Sequence, residues 1–415
     1  MEKDRWARRF FTVWTGQAFS LLGSQLVQFA LIWWLTVETG SATILTLASV
    51  MGILPQVFLT PFAGALVDRW KRRRVMIVAD GLTAILTLVL MIMFALGSVG
   101  VVHIMAVLLL RSILSGFHWP AMQASTSLMV PKAHLARVSG LNESVRGMAS
   151  IAAPPLGAVL IAALPMYLVL SVDIITALIA IIALLAVYIP EVRKATVDSR
   201  STISSELKDA WRYLCSWRGA LLLMLIFMLI NFLINPAFAL LPLLTVQHFG
   251  GGALEYAALE SMAGLGMVLG GLVLGVWGGS SRKVMTCMAA TGVCGAGVLT
   301  IGILPPNGYI VAAIGCLVIG LALPIINGTI VAIMQRGIRA DMQGRVLAIL
   351  GAGVTAMSPV GLLLAGPLSD GVGIQVWFIG GGIVMLLTAI GSAFLPVITR
   401  MEDREVEEVP LETAP

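Results

Sequence analysis

Apolar residues fill this chain in blocks of some twenty, parted by short polar stretches. A helix of about 20 apolar residues is what a hydrocarbon core of about 30 Å demands. The blocks fall at approximately 11–37, 43–67, 75–97, 102–127, 140–163, 167–189, 220–246, 256–279, 283–303, 309–334, 345–368 and 374–396. They predict twelve membrane-spanning helices, spans 1 to 12 in chain order. Span 1 starts directly behind Arg8 and Arg9 and is too long for a signal-peptide core, so it is expected to be retained.

Composition sharpens this picture. Of 415 residues 59% are hydrophobic and only 11% charged, against about 25% charged in ordinary soluble domains, which excludes a soluble globular protein. The 43 Gly and 18 Pro lie mostly inside apolar runs, where membrane helices tolerate both. Cys215, Cys287, Cys294 and Cys316 have no metal-ligand spacing, and no disulfide framework is expected. In a soluble protein the net charge of +5 would point to nucleic acid. Here 24 of the 26 Lys and Arg fall in termini and loops on one face, none in the opposite loops, and only Arg111 and Arg146 within spans. They are topology signals that put both termini in the cytoplasm, with the lipid bilayer and not nucleic acid as partner.

The longest polar interruption divides six spans from six. Expected domains are a first bundle at 1–189, a cytoplasmic linker at 190–219 with some helix along Glu206 to Tyr213, a second bundle at 220–396 and an acidic tail at 397–415. Internal symmetry supports the division. Arg73-Arg74-Val75-Met76 recurs as Arg282-Lys283-Val284-Met285 at an offset of 209, and Arg137-Val138 as Arg345-Val346 at an offset of 208.

The loop after span 2 reads Gly64-Ala65-Leu66-Val67-Asp68-Arg69-Trp70-Lys71-Arg72-Arg73-Arg74. It resembles the signature of major facilitator transporters, with Lys71 where a second Gly is usual. The second-half copy, Gly275 to Lys283, keeps glycines and bases without an Asp. Trp14-Thr15-Gly16-Gln17, Thr39-Gly40-Ser41-Ala42, Phe117-His118-Trp119-Pro120-Ala121, Leu304-Pro305-Pro306-Asn307-Gly308 and Gly344-Arg345-Val346 narrow the likeness along nearly the whole chain. Together they resemble the Mef-type macrolide efflux proteins of bacteria, in the drug:proton antiporter class of that superfamily. The resemblance implies an all-α integral membrane protein with twelve transmembrane helices in two pseudo-symmetric six-helix bundles, the major facilitator fold. It also implies a gating role for Gly64, Leu66, Asp68, Arg69, Arg72, Arg73 and Arg345. In the family the motif Asp faces the amino end of helix 11, a contact that gains about 0.3 to 1 kcal/mol when exposed. The competing account of Arg72, Arg73 and Arg74 is a plain topogenic loop.

Six ionisable residues lie within spans: Asp80, Arg111, Glu143, Arg146, Asp173 and Glu260. Each would cost roughly 2.5 to 3.5 kcal/mol at a helix centre, so each should be paired, protonated or near an interface. Four acids against two bases leave a surplus, and an acid without a cationic partner is what a proton carrier needs. Asp173 is the first candidate, against a packing role. Asp80 is either a proton site or the structural partner of Arg146. Glu143 and Arg146, at i and i+3, can pair on one helix face, and Glu260 lies near the outer interface, where it could stay solvated. Arg111 resembles the helix 4 arginine of drug antiporters, which implies a part in coupling.

Helices 1, 4, 7 and 10 line the cavity in this superfamily, and those spans carry polar stripes. Span 1 sets Gln17, Ser20, Ser24 and Gln28 on one face, and span 4 sets Arg111, Ser115, His118 and Met122 similarly, with Trp119 alongside. Span 7 offers Met228, Asn231, Asn235 and Phe238, and span 10 Asn327. Aromatic and apolar walls with few polar groups suit a large amphipathic ligand; helix packing is the competing account for each residue. His118 reads equally as a packing residue or a proton relay. The expected function is export of amphipathic drugs, macrolides foremost, coupled to protons and without cofactor or metal, by a monomer that another transport protein could assist. The alternatives are a siderophore or lysolipid exporter, an uptake carrier, and an integral-membrane enzyme. The last is disfavoured because His103, His118, His134 and His248 are scattered and there is no nucleophile motif or phosphate loop.

Overall fold

The computed structural model describes residues 3–67, 70–189, 203–338 and 342–399. The described residues are helical apart from short connections. The first six long helices are α1 (Lys3–Thr39), α2 (Ala42–Val67), α3 (Arg72–Ala95), α4 (Val101–Met129), α5 (Leu135–Ala163) and α6 (Met166–Ala186). A short amphipathic helix, α7 (Ile203–Ser216), follows. Then come α8 (Arg218–Gln247), α9 (Ala253–Trp277), α10 (Lys283–Ile303), α11 (Tyr309–Gly337), α12 (Gln343–Val372), α13 (Ile374–Ala393) and the single turn α14 (Pro396–Thr399). Among the described residues twelve helices are long and apolar enough to cross a membrane, and they match the twelve predicted spans. Outward-facing side chains such as Ile182, Leu272, Ile310 and Leu387 are apolar, the surface of helices bathed in lipid. This is a multi-pass membrane protein.

The chain forms two compact units. The first comprises Met1–Thr196, Phe238–Gly264 and Leu362–Ile374, and the second Val197–Ala237, Leu265–Gly361 and Gln375–Pro415. In the first unit α1 runs along α5 and α6, α3 lies between α4 and α6, and α2 packs on α4. Small residues set these approaches: a Cβ on Gly16 would stand 2.8 Å from Ala183 Cβ, and one on Gly23 would collide with Thr176 Oγ1. At the end bearing the basic loops, Phe10, Val13, Met76, Met129, Val138 and Leu184 close an apolar core. Arg73 crosses to α6, donating from Nε to the Leu184 carbonyl and from Nη2 to that of Leu185, each at 2.7 Å. A base on the last turn of a helix satisfies carbonyls that have no partner within it.

At the other end, α1 stops at Gly40, which takes the left-handed φ of +57° that side chains resist. The first N–H groups of α2 then lack helical acceptors. Asp370, near the end of α12, supplies them: its carboxylate accepts from Ala42 N at 2.7 Å, Thr43 N at 3.0 Å and Ser41 Oγ at 2.9 Å. From the end of α8, Gln247 Nε2 donates to the Gly40 carbonyl at 2.8 Å.

In the second unit Trp377 Nε1 donates to the Leu233 carbonyl at 3.0 Å. α9 meets α11 backbone to backbone at Gly266 and Gly270. Of the expected 190–219 linker, residues 190–202 lie outside the described residues. The rest is mostly α7, longer than the expected Glu206–Tyr213, with Ala210 and Leu214 buried. Tyr213 reaches the Gly337 carbonyl at 3.3 Å, and Trp217, just beyond α7, packs on Gly337. In the expected acidic tail, residues 400–415 lie outside the described residues.

Candidate functional site

Polar residues inside a spanning helix must find partners on neighbouring helices, because lipid offers none. In the first unit they gather around a cavity of about 530 Å³ lined by α1 to α6. The α1 stripe faces it with Gln17, Ser20, Ser24 and Gln28, and α4 with Arg111, Ser115, His118, Trp119 and Met122. Helical periodicity had set each group on one face, and the fold turns both faces to the same space. Trp14, Gln56, Thr83 and Asn142 add to the wall. Trp14 Nε1 donates to Asn142 Oδ1 at 2.8 Å, fixing one indole across the α1–α5 contact.

Two buried acids anchor the polar groups. Asp173 on α6 is fully buried. Its Oδ1 accepts from Ser24 Oγ at 2.8 Å, and its Oδ2 from Thr87 Oγ1 at 2.7 Å and from Arg111 Nη1 at 2.5 Å. Arg111 Nη1 also donates to Thr87 Oγ1 at 2.6 Å. The expected surplus of lone acids is thus smaller than the count implied: Asp173 is paired with Arg111, because α4 and α6 flank the same stretch of α3. The sequence gives no register between helices, and Thr87, a single hydroxyl in an apolar span, carried no signal.

Asp80, roughly 10 Å nearer the start of α3, has quieter neighbours. Its Oδ2 accepts from Gln17 Nε2 at 2.9 Å, while Oδ1 faces His118 Nε2 at 3.3 Å without the alignment of a hydrogen bond. Asp80 therefore does not partner Arg146, the structural alternative considered for it. Arg146 stands over the Trp119 ring at 4.4 Å, a cation–π distance, with its Nη1 3.9 Å from Glu143 Oε1. Both Arg146 and Glu143 are exposed, so their pairing is weak.

Glu260 on α9, expected to stay solvated, is half-buried and accepts from Tyr256 OH at 2.7 Å. Tyr256 is itself stacked on Phe29 at 5.0 Å and Trp33 at 6.0 Å. The acid is drawn into an aromatic cluster because the start of α9 packs within the first unit. Of the span 7 and 10 candidates, Asn231 and Asn235 turn their amides back onto α8: Asn231 donates to the Phe227 carbonyl and Asn235 to that of Asn231. Met228 and Phe238 are half-buried and Asn327 is exposed. In the gating segment, Asp68 and Arg69 lie outside the described residues, Gly64 and Leu66 end α2, Arg72 Nη1 reaches the Ala124 carbonyl at 3.3 Å, and Arg345 sits in the first turn of α12.

Residues 13–358 match the model of the Major Facilitator Superfamily. The chain belongs to that superfamily. It is similar to macrolide efflux protein A of Streptococcus pyogenes, 32% identical over 97% of this chain and 100% of that one. The multidrug efflux pump Tap of Mycobacterium tuberculosis is 27% identical over 89% of each chain. Among solved structures, an inward-facing, unoccupied bacterial homologue of the human lysosomal transporter Spinster superposes with a TM-score of 0.71, covering 96% of this chain and 99% of that one at 13% identity. The superfamily and these relatives are transporters.

Proposed function

We propose that this protein is a proton-driven exporter of amphipathic drugs, macrolides foremost. It works by alternating access in the bacterial cytoplasmic membrane, with both termini in the cytoplasm. The observation that carries this reading is the cavity in the first unit. Its walls join the Trp14 and Trp119 rings and apolar side chains such as Leu21, Ile53 and Leu108 with many polar groups, a mixed lining that suits an amphipathic ligand, and the same walls hold the ionisable groups Asp80, Arg111, His118 and Arg146. The names of the efflux relatives, which align along nearly the full chain, support the substrate class. The 24 bases on one face support the orientation.

Protons are the coupling ion in this account, and no cofactor enters it. Two-state coupling requires that a proton and the substrate bind the two conformations unequally. Groups that line the binding cavity meet that requirement directly. The segment from Gly64 to Arg74, with Arg345, is the proposed gate on the cytoplasmic side. A second reading, export of a siderophore or lysolipid, draws on Arg146, whose exposed guanidinium in the wall suits an anionic head group.

Uptake of a labelled macrolide into inside-out vesicles tests the function. Accumulation that needs an imposed proton gradient supports it, and competition by lysolipid or siderophore separates the two readings. Purified protein that accumulates macrolide equally after an ionophore collapses the gradient contradicts proton coupling.

A further inference from the structure

Of the two buried acids, Asp80 lines the cavity and Asp173 does not, and their surroundings assign them different work. Asp173 is fully buried and held by Ser24, Thr87 and Arg111. The guanidinium of Arg111 stays charged at any working pH. Protonating Asp173 would leave that charge buried without its partner, a costly state. The Arg111–Asp173 pair is thus a fixed tie between α4 and α6.

Asp80 offers the opposite. Among the described residues its one hydrogen-bond donor is the neutral Gln17 amide, and its other oxygen looks at His118 Nε2 across 3.3 Å. With the imidazole proton on Nδ1, the bare Nε2 and the carboxylate oxygen face each other as two acceptors, and among the described residues His118 Nε2 is buried with no hydrogen bond. A second proton, on Nε2, makes the ring an imidazolium and turns that repulsion into an ion-pair attraction across 3.3 Å. Imidazole is the side chain whose ordinary titration falls between pH 5 and 8. Both residues line the cavity, and Trp119, next to His118, lines it too. The other charged groups facing this space are Arg111 on α4 and Arg146 on α5. Asp173 on α6 is neutralised by Arg111, and Glu143 stands 3.9 Å from Arg146.

We propose that His118 and Asp80 together hold the transported proton, with His118 Nε2 as the atom that takes it up. The proton arrives from the outer solution, converting imidazole to imidazolium beside the Asp80 carboxylate. It leaves to the cytoplasmic solution when substrate enters the cavity. Gln17 holds the Asp80 carboxylate in place through its second oxygen. This inference deepens the proton-driven reading above and rests on it for the direction of transfer.

The test uses the full chain in proteoliposomes and two readouts. The first needs no substrate: tryptophan fluorescence is titrated between pH 5 and 8, since Trp14 and Trp119 line the same cavity. We expect a transition in the unmodified protein that is lost in His118→Gln and moved in Asp80→Asn. The second is labelled erythromycin transport. His118→Gln should lose gradient-driven accumulation, and an unfolding temperature close to that of the unmodified protein shows that it is folded. Two results would overturn the proposal: a titration unchanged by His118→Gln, or gradient-driven uptake in that variant with an unaltered pH profile. If the unmodified protein titrates through His118 but moves no erythromycin under a gradient, the drug-export reading falls and the proton site stands.

Discussion

Asp370→Ala should loosen the junction between α12 and the α1–α2 turn. The carboxylate accepts three hydrogen bonds there, two from the first N–H groups of α2 and one from the Ser41 hydroxyl. Losing a side-chain cap costs about 0.5 to 2 kcal/mol, and a carboxylate at a helix amino terminus adds roughly 0.3 to 1 kcal/mol. Asp370 is exposed, which keeps the sum near about 1 to 2 kcal/mol. The partners lie 328 residues apart in sequence for Ala42, so any state that separates them gives up every one of these bonds. An equilibrium between joined and parted forms should shift about 5- to 30-fold toward parting. The assay is thiol labelling of Thr43→Cys in a protein whose exposed Cys215 is replaced by Ser; the other three cysteines are buried. Asp370→Ala should raise the labelling rate by that factor, and Asp370→Asn, which keeps one acceptor oxygen, by less. Gly366→Ala should act in the same direction, because its Cβ would collide with Thr46 Oγ1 and the Thr43 backbone. Equal labelling rates in all these variants would refute the clasp.

Asp173→Asn or Arg111→Gln alone should destabilise the protein by about 3 to 5 kcal/mol, since each leaves the other charge buried and unpaired. The double variant should recover most of the loss in thermal unfolding, and a double variant as unstable as the two losses combined would contradict the pair. Gly270→Leu should lower the unfolding temperature, because its Cβ would strike the Leu321 backbone. Gly271→Leu, with open space at the same distance along the helix, should not. Trp14→Phe, which gives up the bond to Asn142, should weaken macrolide binding measured on purified protein while leaving unfolding nearly unchanged.

Hydropathy located the twelve helices, with every end but the start of α1 within five residues, because lipid demands about 20 apolar residues of any span whatever its neighbours. The α1 and α4 stripes were legible for a related reason: residues such as Gln17, Ser24 and Gln28 share a face by helical period alone. Contacts between helices were not legible. Nothing local to Asp173 points to Arg111, and the i, i+3 spacing of Glu143 and Arg146 suggested a tie that exposure makes weak. Asn142 carried no signal in the sequence of a contact with α1, yet it anchors the Trp14 indole. Asp370 falls just beyond the predicted end of span 11, and it caps a helix far away in sequence. On α8 Asn231 and Asn235 share a face by the same period, and there each amide donates to a carbonyl of its own helix.

In the proposed cycle a proton gradient drives drugs out through the α1–α6 cavity. Gradient-dependent uptake of a labelled macrolide into inside-out vesicles tests it most directly. Accumulation is expected with the gradient imposed, and none beyond equilibration once an ionophore collapses it. Equal uptake in both conditions, or none with correctly inserted protein, would contradict it.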